Sequence, residues 1–291
     1  MAQSSKQRAE EAALDLKTKL RQLNKTLAAK GAVVEENAPL VATIKAVEGM
    51  KAQAVTISIF KRQQFYGYVN ESLPPMRISD GYNPALIDYC FAQNSALKSL
   101  PSIENVGVAV NLSSFASSCG SLIEVSLGAL TNATDISSAF SGCSSLTSAA
   151  IGAAPKATSA SNLFFACRSL KDVSIDLSGG LLTNFNHAFF QCSSLRRVTG
   201  IIDLSNANSA NNPFHECSLL EEVRIKGLKI DLDLSVCANL STESVKYLVD
   251  NLQQVTGKSI TLAGAWQTAH PTEARAYAQK ATAKGFALTF R

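Results

Sequence analysis

The sequence predicts an α/β repeat protein, a solenoid in which a short strand and a return segment recur every 24–25 residues. The first observation behind this prediction is the regular spacing of the cysteines. The second is that leucine, valine and phenylalanine residues stand at fixed distances from those cysteines. Self-similarity with a period of this length is typical of solenoids, in which each unit buries its apolar face against its neighbours.

The cysteine column sets the period. After Cys90 the cysteines stand at 119, 143, 167, 192, 217 and 237, at intervals of 24, 24, 25, 25 and 20 residues. Their total is odd, no CxxC pair occurs, and no histidine or acid stands at ligand spacing, so disulfide, redox and zinc roles are disfavoured. We therefore interpret them as small, reduced core side chains. The structural core residues predicted in this way are Cys119, Cys143, Cys167, Cys192 and Cys217.

The apolar columns define the repeat unit. A leucine follows each of the six cysteines after Cys90 by three residues, as in Leu146 and Leu170, and a valine or alanine follows the first five of these cysteines by six. A β-branched or apolar residue two positions later gives the period of two that indicates a short strand. Phenylalanine three residues before the cysteine, as in Phe140, places an aromatic ring on the return segment. A weaker first copy has Asn94 in the cysteine position, so residues 88–240 are predicted to form about 6–7 turns.

The motifs of residues 139–148 and 189–198, Ala-Phe-Ser-Gly-Cys-Ser-Ser-Leu-Thr-Ser and Phe-Phe-Gln-Cys-Ser-Ser-Leu-Arg-Arg-Val, resemble the BspA-type leucine-rich repeats. That family occurs in bacterial surface proteins and in structural proteins of bacteriophages and prophages. The resemblance implies a leucine-rich-repeat solenoid that recognises a protein or a glycan, without catalysis. It transfers no family-wide binding residues.

Residues 1–50 are predicted to form a helical, coiled-coil-like segment that serves for attachment or oligomerisation. A leucine seam at heptad spacing contains Leu16, Leu20, Leu23 and Leu27. Packing within the chain and self-association both remain open. Between Lys6 and Lys30 there are seven basic and three acidic residues, which we interpret as a solvated face rather than a nucleic-acid site, because aromatic interleaving is missing. Residues 23–47 resemble a short module of tailed-phage structural proteins.

The remaining segments flank the repeats. Residues 51–87 predict a β-hairpin, over 54–69, and a linker that contains Pro74 and Pro75. Residues 241–291 predict an αβαβ-like cap, with a helix from Ser241 to about Val255, a strand at 259–262, a helix opened by Thr272 and a strand at 286–290. This end resembles the closing segment of BspA-type proteins in phages. A cap is expected because the open end of a solenoid must be covered.

The search for catalytic motifs predicts no enzyme, no cofactor and no metal site. A Gly-x-Ser-x-Gly nucleophile motif is missing, and Gly257-Lys258-Ser259 lacks the leading glycine of a phosphate-binding loop. From 106 to 166 the charged residues are Glu124, Asp135 and Lys156, which is too few for a pair of catalytic carboxylates. No apolar run reaches 18 residues and no secretory signal opens the chain, so neither membrane insertion nor secretion is expected.

These observations favour a binding protein. The predicted strand face carries few charges until the last turns, where Arg196, Arg197, Arg224 and Lys226 form a candidate ligand face. The favoured hypothesis is a bacteriophage virion structural protein of a tail, baseplate or fibre, assembled in the host cytoplasm. Its expected partners are other virion proteins or itself, together with a glycan or protein of the host surface. The alternative is a BspA-type adhesin of the bacterial cell surface.

Overall fold

The computed structural model describes residues 22–23, 57–59, 65–67, 71–73, 75–78 and 85–291. The chain divides into two units, Met1–Thr56 and Ile57–Arg291, so the division falls six residues after the boundary predicted at residue 50. In the first unit Gln22 and Leu23 are helical and exposed. Leu16, Leu20 and Leu27 of the predicted seam lie outside the described residues.

The second unit contains short strands before and within the repeats and helices after them. The strands before the C-terminal segment are β1 (Ile57–Ile59), β2 (Met76–Ile78), β3 (Ala85–Leu86), β4 (Ile103–Glu104), β5 (Ala109–Asn111), β6 (Glu124–Leu127), β7 (Ser148–Ile151), β8 (Asp172–Ser174), β9 (Arg197–Asp203), β10 (Glu222–Lys226) and β11 (Leu232–Leu234). One 3₁₀ turn, Val106–Val108, precedes β5. The C-terminal segment adds α1 (Thr242–Asp250), β12 (Lys258–Leu262), α2 (Gly264–Ala269), α3 (Pro271–Ala283) and β13 (Phe286–Phe290).

The five repeat strands form one parallel sheet in the order β10-β9-β8-β7-β6. Equivalent residues of successive repeats are directly paired, for example Val125 with Ala149 and Ala149 with Val173. The buried–exposed alternation of β6 shows that one face of the sheet points into the core and the other into solvent. The pairing of β9 with β10 is irregular between Val223 and Ile225. Gly200 lies at this irregularity with φ 94°, and a Cβ there would stand 2.1 Å from the Ile175 carbonyl oxygen, so only glycine fits.

The return segments are joined by their own backbone ladder. Each turn donates N–H groups to carbonyls of the following turn, as in Phe140 to Leu163 and Phe164 to Ala188. Two columns of residues adopt the left-handed conformation so that the chain can turn sharply in every repeat. The first column is Tyr89, Ser114, Ser138, Asn162, His187 and Asn212, and the second is Gln93, Ser118, Gly142, Ala166, Gln191 and Glu216.

The prediction of a β-hairpin over 54–69 is wrong for the described residues. β1 pairs in parallel with β2, and residues 65–67 form a turn rather than a second strand. The Phe65 N–H donates to the Cys90 carbonyl and its ring stacks on Phe91 at 5.6 Å, which repeats the contacts made between later return segments. Short-range alternation suggested a local partner, whereas the segment pairs with the next turn of the solenoid.

The C-terminal segment closes over the last repeat. Ser241 caps α1 by accepting a hydrogen bond from the Ser244 N–H, and α1 ends at Asp250, earlier than the predicted Val255. The strands form a parallel sheet in the order β11-β12-β13. The unpredicted helix α2 carries Trp266, which is buried and donates its indole N–H to the Leu240 carbonyl at 2.7 Å. This tryptophan joins the segment to the end of the repeat core.

Candidate functional site

The five cysteines predicted as core residues lie fully buried in one column. Each thiol donates a hydrogen bond to a backbone carbonyl of the preceding turn, as Cys119 does to Phe91 at 3.1 Å and Cys167 to Phe140 at 3.1 Å. Cys143, Cys192 and Cys217 make the same kind of contact at 3.1–3.2 Å. The thiol is therefore both a small apolar filler and a hydrogen-bond donor, and the cysteine spacing predicted only the first role.

Burial also lowers the reactivity of several cysteine thiols. It raises the pKa of Cys90, Cys119 and Cys237 to about 12. The neighbouring Cys167 thiol, together with burial, raises the pKa of Cys143, and burial is the main cause of the raised pKa of Cys192. Because the thiolate is the reactive form, a buried thiol with a raised pKa is a poor nucleophile and a poor metal ligand.

A column of phenylalanine rings runs beside the thiols. It consists of Phe65, Phe91, Phe115, Phe140, Phe164, Phe189 and Phe214, with successive ring centroids 5.1–6.3 Å apart. These separations lie in the range in which aromatic pairs attract. Together the two columns fill much of the interior of the repeats with buried side chains.

The outer face of the five-stranded sheet forms a shallow groove of about 460 Å³. Its floor consists of short side chains, among them Ser126, Ser148 and Ser174. Within the described part of the chain these three hydroxyls have no side-chain hydrogen-bond partner, whereas Thr199 donates to the Val173 carbonyl. Ser126 and Ser174 stand in one row two strands apart, with Ala150 between them, and Ser148 stands in the neighbouring row between Glu124 and Asp172. We call this surface the serine floor.

The serine floor continues at one end into a groove of about 540 Å³ between β10 and α1. Arg197 belongs to both grooves, and Arg224 lines the second. The other lining residues of the second groove are Glu221, Glu222, Ser241, Glu243, Ser244 and Tyr247. Two guanidinium groups and three carboxylates therefore share this end of the surface.

The structure separates the four residues of the predicted ligand face. Arg197 and Arg224 lie together in the second groove, whereas Arg196 precedes β9 and Lys226 stands at the far end of β10. Every one of the four cations lies within 4.0 Å of a carboxylate. The pairs are Arg196–Glu221 at 2.6 Å, Arg197–Asp172 at 2.7 Å, Arg224–Glu222 at 4.0 Å and Lys226–Asp203 at 3.0 Å. We call these four cations and their carboxylate partners the rim, which is therefore charge-paired rather than cationic.

The pairing has a simple origin in the repeat. Arg197 and Asp172 occupy the same position in adjacent turns and are directly opposite in the β8–β9 pairing. Lys226 likewise pairs with Asp203, whose carboxylate is nearly buried and also accepts from the Ser205 N–H at 2.9 Å. Burial raises the Asp203 pKa, but the hydrogen bonds from Ser205 and the nearby Lys226 together outweigh burial and hold this pKa below its usual value. Most of the pairs are exposed, so each contributes little stability.

The histidines lie on aromatic rings. His187 and His215 both contact Phe190, at centroid distances of 5.4 and 4.9 Å, on the outside of the return segments, and His270 contacts Trp266 at 5.0 Å. Across the described residues no group of three or more His, Cys, Asp or Glu side chains could hold a metal ion. No helix in the described part of the chain is long and apolar enough to cross a membrane.

The fold and this surface define a repeat protein with parallel strands, few helices and an open outer face. Comparison with protein families matches residues 108–240 to the BspA type leucine rich repeat region, in six copies. Residues 108–240 therefore match BspA-type leucine-rich repeats, a type often found in surface-exposed and adhesion proteins. Searches of curated proteins and of solved structures found no match.

Proposed function

We propose that this protein is a non-enzymatic binding protein that recognises a glycan or protein of a cell surface with the outer face of its repeat sheet. The observation that carries the proposal is the serine floor, whose free hydroxyls lie beside a charge-paired rim. Hydroxyl groups on an open surface offer donors and acceptors to a sugar or to a polypeptide backbone. A rim without excess positive charge is poorly suited to nucleic acid, which is bound chiefly through basic side chains.

The proposal can be tested by covering the serine floor with long side chains. The double variant Ser126→Lys/Ser174→Lys places two long side chains on exposed positions of the floor. The matched control is Ser145→Lys/Ser218→Lys, which adds the same charge at exposed positions away from the sheet. Binding to immobilised host-surface glycans and proteins should be lost in the first variant and kept in the control.

Salt dependence separates this proposal from its rivals. The affinity should change little between low and high salt, since few charges are unpaired at the rim. Strong binding to DNA with a steep salt dependence would contradict the proposal and move the function to the basic N-terminal segment. Measurable hydrolysis of a surface polysaccharide would contradict its non-enzymatic part.

The more specific proposal is a bacteriophage virion structural protein of a tail, baseplate or fibre. In this proposal the N-terminal segment attaches to other virion proteins or to itself, and the repeats face outward to bind the host. The support is the resemblance of residues 23–47 to a phage module and the leucine seam of the first unit, of which Leu23 is 46% exposed. An exposed leucine such as Leu23, within a heptad of leucines, favours association with a partner.

Attachment can be tested with two substitutions in the seam. Leu20→Asn/Leu27→Asn should abolish incorporation into particles, detected by immunogold labelling, while Lys19→Ala/Lys30→Ala at charged positions should not. Normal incorporation of the leucine variant would contradict attachment through the seam. The alternative, a BspA-type adhesin of the bacterial cell surface, is favoured by the repeat type itself. Labelling of uninfected cells at their surface would select it.

A further inference from the structure

The C-terminal sheet ends in a strand with one open edge. β13 pairs with β12 on one side and is the last strand in the order β11-β12-β13. No backbone hydrogen bond joins its other side to the rest of the described chain. Open edges are templates for pairing with another strand, and proteins usually protect them with charges, proline or bulges. The residues of β13, Phe-Ala-Leu-Thr-Phe, include none of these devices.

The hydrogen bonds to β12 show which backbone groups face the open edge. Arg291 donates to Leu262 and accepts from Gly264, and Gly285 accepts from Lys258. In a parallel pair alternate residues of a strand bond to the same neighbour, so Ala287 and Thr289 also bond toward β12. The N–H and C=O groups of the intervening residues, Phe286, Leu288 and Phe290, therefore point outward from the sheet.

The side chains of these same residues point to the covered face. Phe286 is buried, while Leu288 and Phe290 are only half-buried although both pack against the core. Ala287 and Thr289 are exposed on the other face. The helix α3 packs against β13, and its inward residues Ala274, Tyr277 and Ala281 are buried. The exposure of Leu288 and Phe290 is what a missing neighbouring strand would leave.

We propose that the open edge of β13 pairs with β13 of a second copy of this chain, antiparallel and centred on Leu288. The apolar–small–apolar–polar–apolar order of the strand has nearly the same pattern in both directions, so a two-fold axis at Leu288 places Phe286 opposite the partner's Phe290. Residues with outward-facing N–H and C=O groups then lie directly opposite each other and exchange two hydrogen bonds in each pair. The apolar side chains of both strands lie on one face, next to α3.

A second copy fits the edge better than an unrelated strand because the register is self-complementary. The contact uses the same patch on both copies, as a closed two-fold interface requires. Gly285 lies opposite the partner's Arg291 in this register and leaves room for its side chain. Pairing joins the two C-terminal sheets into one and covers the half-buried Leu288 and Phe290. This inference does not depend on the ligand proposed for the serine floor.

The register provides a direct test, because Ala287 of one copy lies opposite Thr289 of the other. The variant Ala287→Glu/Thr289→Glu places like charges opposite each other in two pairs and should weaken the dimer about tenfold or more, measured by sedimentation equilibrium. The matched variant Ala287→Lys/Thr289→Glu places opposite charges there and should restore the affinity. Both variants alter the same exposed positions and lose the same Thr289 hydroxyl bond to Thr261, so their monomers are comparable.

All measurements use the full chain. They are repeated in the Leu20→Asn/Leu27→Asn variant, which removes any association through the N-terminal seam and leaves the β13 contact to be measured by itself. In that background the wild-type β13 should still give a dimer. A monomer at concentrations up to about 100 µM would overturn the proposal and leave the edge for a strand of another protein. A dimer that both charge variants weaken equally, or that neither weakens, would also overturn it.

Discussion

The inward and outward columns of the return segments differ in burial although the same repeat builds both. Phe164 and Phe165 are adjacent, and each stacks on the equivalent ring of the next turn, at 5.4 and 5.2 Å. Phe164 is fully buried and Phe165 is only partly covered. Stacking distance is therefore set by the spacing of the turns, and what distinguishes the two columns energetically is the area removed from water.

One inward position differs from the others of the cysteine column in its hydrogen bonding. Asn94 stands in the cysteine column and is fully buried, yet neither polar atom of its amide has a hydrogen-bond partner. The thiols of the later turns each reach a carbonyl of the preceding turn. An amide has more hydrogen-bonding groups than this site satisfies, so the comparison identifies the first turn as the weak end of the column.

The largest expected effect is an alkaline loss of stability. Burial holds several thiols protonated in the folded state, with a pKa of about 12 for Cys90, Cys119 and Cys237, whereas an unfolded thiol has its ordinary pKa near 9. A folded pKa that is raised gives stability that is complete below the unfolded pKa and is lost as pH rises toward the folded pKa. Each such thiol should cost about 1.4 kcal/mol per pH unit above about pH 9.

Urea unfolding at pH 7 to 10.5 measures this loss. Several thiols titrating together should remove several kcal/mol, and the double variant Cys119→Ala/Cys237→Ala should show a shallower dependence of unfolding free energy on pH. A wild-type stability that stays flat up to pH 10.5 would show that the thiols already ionise in the folded protein, as outward-facing thiols do.

The adjacent rings provide the next test. Phe164→Ala should lower the free energy of unfolding by about 3–5 kcal/mol, because it opens a cavity in the inner column. Phe165→Ala removes the same ring from the outer column and should cost about 1 kcal/mol, the scale of one stacking contact. Thermal and urea unfolding of both variants measure the difference. Equal losses would contradict the distinction between inward and outward columns.

Repair of the weak end should stabilise the protein. Asn94→Cys removes the unsatisfied amide and supplies the side chain used in later turns, so the free energy of unfolding should rise by about 1–3 kcal/mol. Asn94→Ala should gain less because it leaves more empty space. If Asn94→Cys lowers the stability in urea unfolding, the amide stabilises the first turn and the comparison with the thiols is wrong.

The smallest expected effect concerns the second column of left-handed residues, which contains Gly142 and Ala166. Ala166 has φ 58°, a conformation that costs an L-residue energy and that Gly142 adopts freely in the preceding turn. Ala166→Gly should therefore stabilise the protein by about 0.5 kcal/mol, after the greater unfolded-state entropy of glycine is offset. Ala160→Gly, at a buried position outside the left-handed region, should destabilise by about 1 kcal/mol because glycine has more conformational freedom in the unfolded chain. Destabilisation by both would show that the left-handed turn carries no strain.

The interior of the repeats was predictable because its signal is periodic. Cysteine and phenylalanine recur at fixed intervals, and each inward position tolerates few residue types, so columns such as Phe140, Phe164 and Phe189 are visible in one sequence. The β-branched residues Val173 and Val198 marked the strands for the same reason. The pairing of Arg197 with Asp172 could also have been predicted from the sequence, since the two residues stand one period apart. A count of charges alone did not reveal it.

The ends were less predictable because their partners are distant in sequence and their signals are not periodic. Residues 57–59 alternate like one arm of a hairpin, yet they pair with residues 76–78. The signal that could have placed this segment is Phe65, which stands 26 residues before Phe91, close to one period. The short helix α2 has no long apolar pattern, and its role depends on Trp266 reaching Leu240. The free hydroxyls of the serine floor could not be predicted, because the sequence does not show which serines bond to neighbouring turns.

Thiol labelling tests the central structural claim, that the repeats are organised around an inward cysteine column, most directly. In native buffer at pH 7.5, a disulfide reagent should find Cys119, Cys143, Cys167, Cys192 and Cys217 unreactive, because all are buried and donate to backbone carbonyls. In denaturant every cysteine of the chain should react. Rapid labelling of several of these residues in the native protein would contradict the claim.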